Sequence, residues 1–247
     1  MPKWEDIFLK EMKRFVFGIS DPSKLAKYLI MTLGVPSRTI ERKLDKLKKV
    51  GTAKTGEFNS IPVSICARKS GTIQLEEFLR LVPRDTVEYV IGLGAVGALQ
   101  PEIKIGDLII PTNAIRGDGL TGYYYPPNIP AKPDPELTDV LYQSAVQAKA
   151  SVHTGTIFTT GSLLHETDEL IQDWHTKGYL GVDCEASAFF LLCQYCEFKC
   201  TLILYVTDNP YTKQVFSNNF QSILRVFRAE RKAVKAVFNT ISVISEV

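Results

Sequence analysis

Two carboxylates, Asp183 and Glu185, directly follow a short apolar segment, Leu180-Gly-Val182, and precede a run of small and apolar residues that reads as a helix. Carboxylates at the C-terminal end of a buried strand lie where open α/β sheets bind ligands. They accept hydrogen bonds from paired hydroxyls, which is what a ribose diol offers. A third carboxylate, Asp208, ends another apolar run, Leu204-Tyr-Val-Thr-Asp208-Asn-Pro210. A carboxylic acid at a strand end can protonate a leaving group if its pKa is raised. Asp-Asn-Pro is equally an ordinary turn.

Gly92, Gly94 and Gly97 follow an apolar strand-like run. Glycines there let backbone N–H groups approach an anion, or they form a tight packing turn. A dinucleotide site is excluded, because Gln100-Pro101 breaks the helix that such a site needs after its third glycine. Lys24, in Ser20-Asp-Pro-Ser-Lys24, and the pair Arg68-Lys69 are cations beside expected element ends. Of the five cysteines, Cys193, Cys196 and Cys200 fall at i, i+3 and i+7 of an apolar stretch that reads as one buried helix face. No second Cys or His pair completes a zinc site, so no metal is expected.

Alternating strand and helix signals must position these groups. Strands are expected at residues 15–19, 62–67, 87–93, 107–111, 154–158, 179–182 and 201–207. Asp21-Pro22 reads as the start of a helix carrying Leu25, Tyr28, Leu29 and Leu33 and stopping at Gly34. Asp134-Pro135 opens another helix, and a last one carries Leu224, Phe227, Val234, Phe238 and Ile241. The long loop is Gly117 to Pro133. Basic residues from Arg42 to Lys54 read as a solvated helix or hairpin face. The pattern predicts a single α/β domain over residues 1–247, with three α/β/α layers around a mixed, twisted central sheet.

The net charge of +2 gives no electrostatic case for nucleic acid. No apolar run approaches the roughly 18 residues of a membrane span. The charged start of the chain has no signal-peptide core, so a cytoplasmic protein is expected.

Four segments carry a resemblance to the nucleoside phosphorylase and nucleosidase superfamily. Gly181-Val-Asp-Cys-Glu-Ala186 resembles its G-V-E-M-E-A element. Gly94 to Pro111 is similar to its G-x-x-G-a-L-x-P-x-[IV]-x-x-G-D-[LIV]-[IV]-I-P signature. Ala114 to Pro127 resembles the A-I-R-x-E-G-T-S loop of one branch, with Asp118 in place of Glu. Gly155 to Thr167 is similar to the element that covers the base, with Gly161 for Asp and His165 for Arg.

The resemblance implies a fold of phosphorylase type and cleavage of the N-glycosidic bond of a purine nucleoside by phosphate. Glu185 would accept the ribose hydroxyls, with Asp183, Cys184 and Gly94 alongside. His165 and Glu166 would cover the base, and Asp208, in the Thr207-Asp208 pair, would protonate N7. Lys24, Arg68 and Ala95 would lie at the phosphate. Here the chain departs from the family: Lys24 replaces an Arg, Gly92 a strand Arg and Ala95 a Ser, while Lys49 stands loosely for an Arg lent by a neighbouring subunit. Lysine binds phosphate as a point charge, without the bidentate fork of arginine. The resemblance implies no cofactor beyond phosphate as co-substrate, and a homodimer or homohexamer. Two alternatives stay open: a hydrolase using water, with Asp21 near the place of its base, and a non-catalytic nucleoside-binding paralogue.

Overall fold

The computed structural model describes residues 3–246. The strands are β1 (Tyr28–Leu33), β2 (Asp45–Val50), β3 (Ala53–Phe58), β4 (Ile61–Arg68), β5 (Tyr89–Ala98), β6 (Leu108–Gly117), β7 (Val152–Thr160), β8 (Gly181–Asp183), β9 (Lys199–Asn209) and β10 (Gln214–Val215). The helices are α1 (Trp4–Phe17), α2 (Arg38–Glu41), α3 (Thr72–Leu79), α4 (Pro135–Gln147), α5 (Asp168–Thr176), α6 (Ala186–Tyr195) and α7 (Phe220–Ser245). The strands form one mixed sheet in the order β10-β9-β6-β7-β8-β5-β1-β4-β3-β2. β9 also pairs with β5, so β5, β9, β6, β7 and β8 close into a ring.

The mixed sheet and its helical layers match expectation. One face packs under α3 and α6 through Phe78, Phe189 and Phe190, and the other under α4 and α7 through Leu141, Val237 and Phe238. The α4 start is capped as its sequence implies, Asp134 accepting from Leu137 N at 2.8 Å, and α7 is capped by Asn219, which accepts from Ser222 N at 2.8 Å. The basic stretch from Arg42 to Lys54 forms most of the β2–β3 hairpin, with its lysines exposed.

Three readings are corrected. Residues 15–19 form no strand: Val16 and Phe17 are the buried last turn of α1, which stops at Gly18 with φ +59°. Charged residues spaced along α1 leave it a single apolar stripe, which a short window around Phe15 does not reveal. The helix expected after Asp21-Pro22 is only a one-turn 3-10 segment, Pro22–Lys24, and Tyr28–Leu33 is a strand buried along its whole length. A run that is apolar at every position satisfies helical spacing and a two-faced strand equally well. Cys200 belongs to β9, whereas Cys193 is in α6 and Cys196 caps it, so buried residues of two elements meet there.

Gly92 and Gly94 make no turn, because β5 continues through both to Ala98. A Cβ at Gly92 would stand 2.6 Å from Leu202 Cδ1 and 3.2 Å from Phe189 Cζ. The position is therefore already filled by neighbouring side chains. Gly92→Ala is expected to destabilise the fold by ~1–3 kcal/mol through overpacking. Chemical denaturation of the two proteins checks this, and equal midpoints would refute the crowding.

Candidate active site

A cavity of about 160 Å³ opens among Gly34, Ser70, Ala95, Gly97, Leu163, Glu166, Asp183, Cys184, Glu185, Thr207 and Asp208, with apolar walls from Leu33, Val35, Val96 and Val182. Four of its lining residues are carboxylates, and none is Lys, Arg or His. Each carboxylate comes from a different local device.

Asp183 ends β8 and is fully spent on the protein. Its Oδ1 accepts from Thr159 Oγ1 at 2.8 Å, and its Oδ2 accepts from Ala186 N at 2.7 Å and Glu185 N at 3.2 Å. It thus holds the start of α6, whose unpaired N–H groups need such an acceptor. Burial, and then the charge of Glu185, push its carboxyl up to about 7 against those hydrogen bonds.

Glu185 is 5% exposed. Its Oε1 accepts from Ser70 Oγ and from Gly71 N, both at 2.7 Å. The two donors lie in the link between β4 and α3. Asp118 steadies the start of α6 from the long loop, its Oδ2 accepting from Ser187 Oγ at 2.6 Å and Thr121 Oγ1 at 2.8 Å. That loop is ordered by Arg116, which donates to the carbonyls of Tyr125, Pro126 and Ile129. Tyr124 and Tyr125 pack edge-on against Tyr195 of α6, while Tyr123 is exposed.

Asp208 reaches the cavity because β9 is irregular. Val206 pairs with Val96 and Asp208 with Gly97, leaving Thr207 as an extra residue. Such a bulge re-aims side chains, here bringing both Thr207 and Asp208 to the cavity. Gly97 leaves the space: a Cβ there would stand 2.9 Å from Asp208 Oδ2. Burial raises the Asp208 carboxyl, opposed by the Thr207 hydroxyl, which donates at 2.6 Å. Glu166, just after a 3-10 turn at Leu163–His165, is raised to about 7 by burial and then by the charge of Asp208. Glu166 can therefore donate as well as accept a hydrogen bond near neutral pH, and burial moves Asp208 in the same direction.

The other residues singled out in the sequence fall as follows. Cys184 and Ala95 line the cavity. Cys184 keeps its proton, burial pushing the thiol up to about 12. Gly94 is buried within β5 beside Leu204 and Leu33. His165 is exposed and lies off the cavity lining, as does Lys24. Asp21 caps the short turn, accepting from Ser23 N at 3.0 Å. Arg68 stacks its guanidinium 4.6 Å from the Phe78 ring centroid and donates to Thr52 Oγ1 at 2.7 Å. Sequence reading missed Ser70, Gly71 and Thr159 as parts of the site, and singled out Gly97 for an anion rather than for the room it leaves Asp208. Ser70-Gly71 after a strand reads as an ordinary loop, and nothing local points from it to a residue more than a hundred positions away.

Among the described residues, no group of His, Cys, Asp and Glu could hold a metal ion, and no helix is long and apolar enough to cross a membrane. Residues 33–241 match the model of the Phosphorylase superfamily. A guanosine phosphorylase of Halorubrum lacusprofundi is 28% identical over 139 residues, which span 55% of this chain and 56% of that protein. A uridine phosphorylase of Haemophilus influenzae is 25% identical over 204 residues, 75% of this chain and 77% of its own. The crystal structure of uridine phosphorylase from Vibrio fischeri ES114 superposes with a TM-score of 0.82 at 22% identity, covering 90% of this chain and 95% of that one. The likeness extends to the fold as a whole.

Glu166 yields a prediction on stability. Its pKa is raised in the folded chain, so its contribution is present at low pH and is lost as pH rises from the ordinary carboxylate range through about 7. Glu166→Gln cannot ionise. Its melting temperature should match the wild type near pH 4 and exceed it at pH 8. An equal difference at both pH values in thermal scans would refute a buried, titrating Glu166.

Proposed function

Because the chain belongs to the Phosphorylase superfamily, we propose that it cleaves the N-glycosidic bond of a purine nucleoside with phosphate, giving free base and ribose 1-phosphate. The observation that carries this reading is that Glu185 and Asp208 line one cavity from two elements, one carboxylate anchored and the other raised by burial. Glu185 accepts the ribose hydroxyls, with Asp183 fixing its helix and Cys184 on the sugar side. As the bond from C1′ to the base breaks, its electrons pass to the base, and Asp208 delivers a proton to a ring nitrogen. A phosphate oxygen then bonds to C1′. A purine offers N7 as the acceptor for that proton, which supports purine over pyrimidine. Glu166 borders the base, and His165 stands outside it.

Phosphate is the co-substrate, and no cofactor takes part. The enzyme works in the cytoplasm as a homodimer or homohexamer. The cavity's lining has no cationic side chain, so phosphate is held by cations that approach from beyond it. Lys24 and Arg68 of the same chain, or Lys49 of a second copy, serve this role beside the backbone at Ala95. That same shortage of cations favours a second reading, hydrolysis by water.

Turnover of inosine, guanosine, adenosine and uridine, with and without phosphate, tests both. Purine release that requires phosphate and saturates with it is expected, with uridine slower. Asp208→Asn should lower kcat by roughly 10²–10⁴-fold, the usual scale of general acid catalysis. Release at full rate in phosphate-free buffer would establish the hydrolase instead.

A further inference from the structure

We propose that Ser70 is a positioning residue for Glu185: its hydroxyl, with the Gly71 N–H beside it, fixes which carboxylate oxygen faces the sugar. The proposal rests on the reading of Glu185 as the acceptor of the ribose hydroxyls. Both donors go to one atom, Oε1, each at 2.7 Å. Among the described residues nothing donates to Oε2, and Glu185 takes part in no ion pair. Glu185 lines the cavity, so Oε2 is the atom left for a ligand. A carboxylate's terminal torsion is broad. Two donors on one oxygen remove that freedom before the ligand arrives, which lowers the entropic cost of binding a diol.

The link that carries the donors is itself built for this direction. Gly71 has φ +115°, a conformation that disfavours any side chain, although a Cβ there would meet nothing within 4 Å. The requirement for glycine is therefore conformational: the backbone turns so that its N–H points at Glu185. On the other side the link is tied to the end of β1, where Gly34 N donates to Arg68 O at 3.0 Å. Gly34 also lies against Ser70, since a Cβ on it would stand 3.4 Å from Ser70 Oγ. The ends of β1 and β4 thus set the place of the hydroxyl that sets Glu185. Ser70 is exposed, so its replacement leaves the core intact.

The experiment compares Ser70→Ala, Ser70→Thr, Glu185→Gln and the double variant Ser70→Ala/Glu185→Gln, measuring KM, kcat and melting temperature with a ribonucleoside and its 2′-deoxy counterpart. Ser70→Ala should raise the ribonucleoside KM by about tenfold, the scale of one hydrogen bond to a charged group. Its kcat should stay within about twofold, with an unchanged melting temperature. Ser70→Thr should restore KM. The penalty should shrink for the 2′-deoxynucleoside, and Ser70→Ala should add nothing in the Glu185→Gln background. An unchanged KM in Ser70→Ala, beside a raised one in Glu185→Gln, would overturn the positioning role alone. Additive penalties in the double variant would do the same. An unchanged KM in Glu185→Gln would remove the reading of Glu185 and the proposal with it.

Discussion

The site depends on one extra residue in one strand. β9 and β5 run parallel in unbroken register from Lys199 to Val206, and then Thr207 has no partner. In a regular strand, neighbouring residues face opposite sides of the sheet. The bulge breaks that rule where Thr207 and Asp208 both meet the cavity. It works only because the facing position is Gly97, whose missing side chain leaves room for the Asp208 carboxyl. β8 pairs antiparallel with β5 at the same place, Gly97 opposite Val182, and carries Asp183 into the start of α6. Gly97 is thus the point to which both halves of the site are referred.

Around that point the chain gathers four carboxyl groups with no cationic side chain among them. Asp183 and Glu185 are almost fully buried, and Glu166 and Asp208 are partly so. Hydrogen bonds from Thr159, Ser70 and backbone N–H groups support the first pair. The second pair has one neighbouring hydroxyl, on Asp208, and its carboxyl groups are raised by burial. Glu185, held by two donors, and Asp208, raised by burial with one hydroxyl beside it, therefore suit different tasks, while Asp183 is spent on the start of α6. Anchored carboxylates suit hydroxyl donors and the positive charge that builds on a sugar as its bond to a base breaks. A carboxyl whose pKa is raised by burial, as that of Asp208 is, holds its proton more readily and suits transfer to a leaving group.

Much of this was legible from the residues. Most strands from β4 to β9 show as apolar runs bounded by turn residues, although β7 is rich in Thr and β5 runs on through glycines that also read as a turn. The N-terminal third misleads for a physical reason: Tyr28–Leu33 is buried on both faces, so its composition does not distinguish strand from helix. The carboxylates at strand ends stand out in sequence because charge seldom interrupts buried runs. Their supports do not stand out. Ser70 and Thr159 are small residues whose roles come from register and approach, which only tertiary pairing defines, and Gly97 stands out as a glycine without showing what it makes room for. The ring closed by β5 and β9 is likewise a property of distant pairings, and an alternating pattern of elements leaves it open.

The packing at Gly92 bears on how an anion could enter such a cavity. Leu202 and Phe189 occupy the space that a side chain at position 92 would need. A cation cannot be added to β5 at that point without rebuilding the core beneath it. Arg68, two residues before Ser70, is directed to Phe78 and Thr52. On the proposed reading, a phosphate beside these four carboxyl groups needs compensating charge from elements outside the cavity wall. Lys24 and Lys49 are exposed, where a strongly hydrated ammonium costs little to keep and is free to move. On the proposed reading, the charge that offsets the anion comes from exposed lysines, whereas the carboxyl groups that would meet sugar and base are fixed by the sheet and α6.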